Sequence, residues 1–318
     1  MNTISIKKDT FIIFLALLGS IAYGFFVFAA VQRLFFLDSG DIGSYVLYFN
    51  TMGRPAYNDL TFHGDTIFRY GVYHLREYFN VEIITLLSSL AFLTSSIIFY
   101  ILSVSIRSSK YFIYILPPFL MVFLTPQVTN LFASGIRSSI AFSLLMIAII
   151  YFKGVTKYIL FVLSSLIHLS MVPIISLFIL FHMVNRIKTG STFIVPLFVL
   201  LLYSFFVALF SNVYKVNLTP VGQSISFNFL ILLLGILIIF TNKKAIQNIY
   251  GFISIALILI YLCGVIIDVS FFRYIGYSII FYFLFLIEKG KRNTIQVFTL
   301  GYLPFFLLTS YFTITNVV

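Results

Sequence analysis

The chain has 318 residues, of which 61% are hydrophobic and only 9% charged, with a mean hydropathy of +1.09. A soluble domain carries about a quarter charged residues, so a water-soluble globule is excluded and a polytopic all-α membrane protein is indicated. The net charge of +11 is spread singly and in pairs between apolar runs, the pattern of topology signals, and gives no support to nucleic acid as a partner.

The amino-terminal Met1–Asp9 stretch carries Lys7 and Lys8 ahead of a long apolar run, and no small-residue cleavage site follows. Residues 11–36 therefore read as a retained first span. A polar segment at 37–82 follows, with Ser44–Phe49 and Thr66–Phe79 suited to short interfacial helices. Further runs able to cross, at about 20 residues per span, are 83–106, 111–129, 192–211, 226–241, 249–267, 270–288 and 294–314.

Residues 138–184 admit two readings. As two spans they put Arg186, Lys188, Lys243 and Lys244 outside, against the excess of basic residues expected on the inner face. Broken at His168-Leu169-Ser170, ahead of Pro173, they give three short spans, 138–152, 156–169 and 170–184. Such spans fall short of the roughly 30 Å hydrocarbon core, which is tolerated where they line a water-filled cavity. The second reading predicts about eleven spans, the amino terminus inside and the carboxyl terminus outside. No repeat, low-complexity tract or linker divides the sequence, so residues 1–318 read as a single integral membrane domain with one larger outer loop at 37–82.

This topology sorts the charges by type. The inner side holds Lys7, Lys8, Arg107, Lys110, Lys153, Lys157, Arg186, Lys188, Lys243, Lys244, Lys289, Lys291 and Arg292, mostly lysines. The outer side holds Arg33, Arg54, Arg69, Arg76, Arg137, Arg273 and Lys215, together with seven of the nine acids. Arginine's planar fork grips phosphate oxygens with two parallel bonds and never loses its proton. Outer arginines at span ends thus suggest an anionic, phosphate-bearing ligand. Arg54, Arg69 and Arg76 share their loop with six acids, and ion pairs that hold the loop account for them. Arg137 has no acid within four residues, and the nearest acid before Arg273 is Asp268; these two are the candidates for ligand binding.

No phosphate-binding or dinucleotide-binding glycine motif is present, so no nucleotide cofactor is expected. Asp38 and Asp41 are a poor match to a paired-aspartate metal motif, and His63, His74, His168 and His182 lack partners at zinc-ligand spacing. No metal site is expected, and the lone Cys263 rules out an internal disulfide. His168, beside Ser170, is either an interhelical hydrogen-bonding group or a general base or donor. Asp41 is either a turn or cap residue or a carboxylate facing the same outer cavity.

The run Gly135-Ile136-Arg137 with Ala141, then Tyr151-Phe152-Lys153-Gly154, Lys157-Tyr158 and Ile167-His168-Leu169-Ser170, resembles the EpsG-like and Wzy polysaccharide polymerases. Ser39-Gly40-Asp41 with Tyr45, and Phe272-Arg273-Tyr274, resemble further polar landmarks of that family. The likeness is sharpest over 134–170 and runs across about residues 38–285. Ser138 stands where the family usually has Gln. The resemblance implies a GT-C-like helical bundle in the bacterial inner membrane, with its active site facing the periplasm. It implies an enzyme that moves a growing glycan from undecaprenyl diphosphate onto a lipid-linked repeat unit, as in O-antigen, capsule or other surface polysaccharide. On that reading His168, Arg137 and Asp41 are catalytic, and Arg137 and Arg273 bind the diphosphate. The partners would be the lipid-linked donor and acceptor, membrane lipids and a chain-length regulator protein. A flippase for lipid-linked oligosaccharide and a lipid-phosphate sugar transferase are the competing expectations.

Overall fold

A computed structural model describes residues 3–36, 41–51, 66–107, 109–186, 194–213, 231–238, 243–267 and 272–315. The described residues are helical with short connections, in the order α1 (Thr3–Phe36), α2 (Asp41–Thr51), α3 (Thr66–Phe79), α4 (Ile83–Arg107), α5 (Phe112–Leu124), α6 (Pro126–Ala133), α7 (Ile136–Tyr151), α8 (Gly154–Ile167), α9 (Met171–Arg186) and α10 (Ile194–Val213). They continue with α11 (231–238), a 3₁₀ turn at Lys243–Gln247, α12 (Ile249–Ile267), α13 (Phe272–Lys289) and α14 (Arg292–Thr315). Among the described residues, Ile13–Phe36, Ile83–Ile106 and Ile249–Ile267 are long and apolar enough to cross a bilayer, and α5 with α6 makes a fourth if the pair counts as one broken span. The chain is a multi-pass helical membrane protein.

Two compact units divide the chain. Helices α1–α4, α7 and α8 belong to the first, and α5, α10–α14 and nearly all of α9 to the second, with the boundaries falling inside α6 and in the first turn of α9.

In the first unit α1 packs along α4. Gln32 Nε2 donates to Ser88 Oγ at 3.0 Å near the end of α1 and the start of α4, while the Tyr23 and Phe99 rings stack at 5.2 Å further along. The pair therefore runs antiparallel. Gly24 permits this closeness, because a Cβ there would lie 2.1 Å from Ser96 Oγ and 2.8 Å from the Phe92 ring. The outer flank of α1 shows Phe14, Leu15, Leu18, Phe25 and Phe26, the apolar surface that a bilayer covers.

α7 and α8 form an antiparallel hairpin around Phe152-Lys153. Gly154, at φ +63°, makes this tight turn in a left-handed conformation that costs a side-chain-bearing residue about 1–2 kcal/mol. Ser164 Oγ on α8 donates to the Ala141 carbonyl on α7 at 2.7 Å. α4 joins through Thr94, whose hydroxyl bonds Ser139 Oγ at 2.9 Å.

In the second unit α12 and α13 are locked by a reciprocal serine pair. Ser254 Oγ donates to the Ser278 carbonyl and Ser278 Oγ to the Ser254 carbonyl, both at 2.9 Å. An aromatic ladder of Tyr282, Phe298, Tyr302 and Phe305 joins α13 to α14 at centroid separations of 5.0–5.4 Å. Tyr302 Oη reaches Thr125 Oγ1 at 2.7 Å. Thr125 is the extended residue (ψ 131°) at which α5 ends, because the ring of Pro126 disfavours a helical residue before it while suiting the first position of α6. The expected unbroken span 111–129 is thus broken at Thr125, and α5 and α6 are bent by 54°.

Candidate functional site

The helix break predicted at His168-Leu169-Ser170 is present: α8 ends at Ile167 and α9 starts at Met171. His168 is half-buried and caps α8 in an extended conformation, its backbone N–H donating to the Ser164 carbonyl at 3.1 Å. The Ser164–Ala141 bond sets the register of the hairpin. One turn back from Ala141 is Arg137, and one turn beyond Ser164 is His168. The two expected site residues therefore stand at the same height, at the shared end of the hairpin, Arg137 in the first turn of α7 and His168 at the cap of α8.

Arg137 occupies the first turn of α7. The cap residue there, Gly135, offers no side chain to the first-turn N–H groups, and that turn contains no acid. A cation at a helix amino terminus opposes the macrodipole, at a cost of about 0.3–1 kcal/mol, and adds its charge to backbone donors that have no helical acceptor. Both sources of positive potential favour an oxyanion. Ser139 and the small Ser138 beside it are fully buried.

The guanidinium of Arg137 is held by α2. Its Nε donates to Tyr45 Oη at 2.6 Å, and its Cζ lies 5.3 Å from the centroid of the same ring. Tyr45 is buried and leans on Phe68 of α3, with ring centroids 5.5 Å apart. Two further arginines also meet α2. Arg69 lies over the Tyr48 ring at 4.3 Å, and Arg76 Nη1 donates to the Phe49 carbonyl at 2.8 Å. α2 and α3, in the segment expected to carry interfacial helices, thus form an aromatic and cationic clasp beside the start of α7. The loop ion pairs expected for these arginines give way, in Arg76, to a backbone carbonyl. Arg54, Asp38, Asp59, Asp65 and His63 lie outside the described residues.

Asp41 is the first residue of α2, one turn before Tyr45 on the stripe that continues to Tyr48. Arg273 belongs to the second unit, where it is half-buried in the first turn of α13, one turn before the fully buried Tyr277, with which it interacts electrostatically. Asp268 lies outside the described residues. No cluster of three or more His, Cys, Asp or Glu suited to a metal occurs among the described residues.

Tyr45 is the residue that sequence reasoning undervalued as part of the site. Its partner is 92 positions away, so the sequence marked it only as a polar landmark one turn after Asp41. Comparisons with protein-family models, with curated proteins and with solved structures each find no match to this chain.

Proposed function

We propose that the chain is a polysaccharide polymerase that transfers a growing glycan from undecaprenyl diphosphate to a lipid-linked repeat unit at the outer face of the bacterial inner membrane. The observation that carries this reading is Arg137, a tethered cation in the first turn of α7, level with His168 across the hairpin. It agrees with the resemblance of residues 134–170 to the EpsG-like and Wzy polymerases. In this reading the acceptor hydroxyl attacks the anomeric carbon of the donor, and His168 receives the hydroxyl proton. The bond from that carbon to the diphosphate oxygen breaks, the oxygen keeps the electron pair, and Arg137 stabilises the charge that develops on it. Preorganised donors aimed at developing charge contribute about 3–4 kcal/mol each to such steps. Asp41 orients the acceptor, and Arg273 is a second candidate for diphosphate oxygens on the same chemical ground.

The topology that goes with this reading has about eleven spans, including the short helices α7, α8 and α9, in a GT-C-like bundle, since short helices beside a cavity need not cover the full hydrocarbon thickness. A chain-length regulator is the expected protein partner.

Loss of the gene followed by electrophoresis of surface polysaccharide tests the proposal. The expected result is a single-repeat band in place of a ladder. Purified protein given lipid-linked repeat units separates the rivals: polymer ladders support the proposal, whereas translocation without bond formation marks a flippase and addition of one sugar marks a simple transferase.

A further inference from the structure

We infer that Tyr45 is a positioning residue that aims the Arg137 guanidinium at its oxyanion. The inference rests on the reading of Arg137 as a diphosphate ligand and adds the group that gives that ligand its direction. An arginine side chain has many rotamers, and fixing one of them costs side-chain entropy. Tyr45 restrains it twice from one ring. The hydroxyl takes the Nε–H at 2.6 Å, and the ring lies within cation–π distance of Cζ, at 5.3 Å.

The tether is itself braced. Tyr45 is buried on a helix whose neighbouring positions Ile42 and Phe49 are also buried, and Phe68 of α3 stands against its ring. Phe68 is in turn 6.5 Å from Phe49, whose carbonyl is fastened by Arg76. Arg137 is therefore restrained through two helices remote from it in sequence. A charged donor fixed before the reaction needs no reorganisation when charge develops; one that must first be ordered loses part of that advantage.

Ring and hydroxyl can be separated by substitution. Tyr45→Phe keeps the ring against Phe68 and removes the hydroxyl that accepts the Nε–H. The experiment uses the full chain in lipid nanodiscs, with binding of undecaprenyl diphosphate and of inorganic diphosphate measured for the wild type, Tyr45→Phe, Arg137→Ala and the double variant. Polymer formation from lipid-linked repeat units is measured beside it. Tyr48→Phe, which keeps its ring under Arg69, is the control and should behave as the wild type. The expected result is that Tyr45→Phe weakens diphosphate binding or lowers kcat by about 10- to 100-fold, the equivalent of a hydrogen bond to a charged group. KM for the acceptor should be unchanged, and Tyr45→Phe should add nothing once Arg137 is alanine. Wild-type binding and turnover in Tyr45→Phe, with both lost in Arg137→Ala, overturns the inference and leaves the role of Arg137 standing. An equal loss from Tyr45→Phe in both backgrounds also overturns it, because the hydroxyl then acts through the fold rather than through Arg137. Wild-type diphosphate binding in Arg137→Ala removes the premise and overturns both.

Discussion

The α1/α4 pair and the α7/α8 hairpin are both antiparallel and both belong to the first unit, but they place their polar groups differently. The candidate spans in α1 and α4 are 24 residues each, and the pair closes over Gly24 with aromatic rings on either side. Its hydroxyls bond to carbonyls on their own helix, as Ser88 and Ser95 do, and Thr94 does so while also reaching Ser139 of α7. α7 and α8 have 16 and 14 residues; Ser139 and Ser165 also bond carbonyls of their own helix, but Ser143 and Ser164 bond carbonyls of a neighbouring helix, those of Thr94 and Ala141. A helix of about 15 residues spans roughly 22 Å, so the ends of α7 and α8 cannot both lie beyond the hydrocarbon if the hairpin stands upright in it. Arg137 and His168 share one such end. The long pair has the length and apolar composition to cross, whereas the short pair carries a cation and an imidazole on helices shorter than the hydrocarbon thickness.

The sharpest test of this division is His168. His168→Ala should reduce polymer formation by about 10²- to 10⁴-fold, the range for loss of a general base, while the amount of folded protein in the membrane stays at the wild-type level. Activity retained in His168→Asn would assign the residue a hydrogen bond rather than a proton transfer. Full activity in His168→Ala would make the α8 end a packing element like those of α1 and α4. Rates are compared at matched protein levels with lipid-linked repeat units.

The opposite outcome is expected from Gly24 in the long pair. Gly24→Val inserts atoms where a Cβ already meets Ser96 Oγ at 2.1 Å and the Phe92 ring at 2.8 Å. Overpacking of this kind costs about 1–3 kcal/mol. Folded yield and resistance to detergent unfolding should fall, while turnover per folded molecule stays within about twofold, a change of under 0.5 kcal/mol in the barrier. Loss of turnover without loss of folded protein would mean that α1 and α4 take part in the chemistry.

Much of this contrast was legible in the residues. Thr66–Phe79 carries its aliphatic and aromatic residues on a helical stripe and emerges as α3 with the expected bounds. The break at His168-Leu169-Ser170 was readable because two polar side chains and a nearby proline interrupt an otherwise unbroken apolar run. The break at Thr125 was signalled by Pro126 but was overridden by the hydropathy of the flanking residues, which continues across it. The Arg137–Tyr45 bond was not legible. It depends on how α2 folds against the start of α7, a tertiary choice that no local periodicity encodes. The expected fate of Arg76 failed for a related reason: charge counting finds acids in the same loop but not the Phe49 carbonyl that tertiary packing brings within 2.8 Å. Lys188, central to the expected sidedness, lies outside the described residues.

The smallest effect is expected at Ser164, and it asks whether the height shared by Arg137 and His168 depends on the hydrogen bond or on the packing around it. The Ala141 carbonyl that accepts from Ser164 belongs to the interior of α7, where it can also accept from the helix backbone. Ser164→Ala therefore leaves no buried acceptor stranded. Interhelical bonds of this kind contribute about 0.6 kcal/mol on average in membrane bundles, so stability should drop by that order and polymer formation should stay near wild type. The turn at Gly154 still fixes where α8 begins, which is why the register should survive. Ser164→Leu changes the argument, because its branched side chain must fit where α8 meets Ala141 of α7. α8 then has to move away from α7 or slide along it, and His168, one turn further on, moves with it. A displacement of about 1 Å at a reacting group can cost on the order of 10²-fold. Loss of polymer in Ser164→Leu alongside near-normal activity in Ser164→Ala would tie function to the spacing of the two helices. Normal activity in both would show that Arg137 and His168 need not keep their shared height.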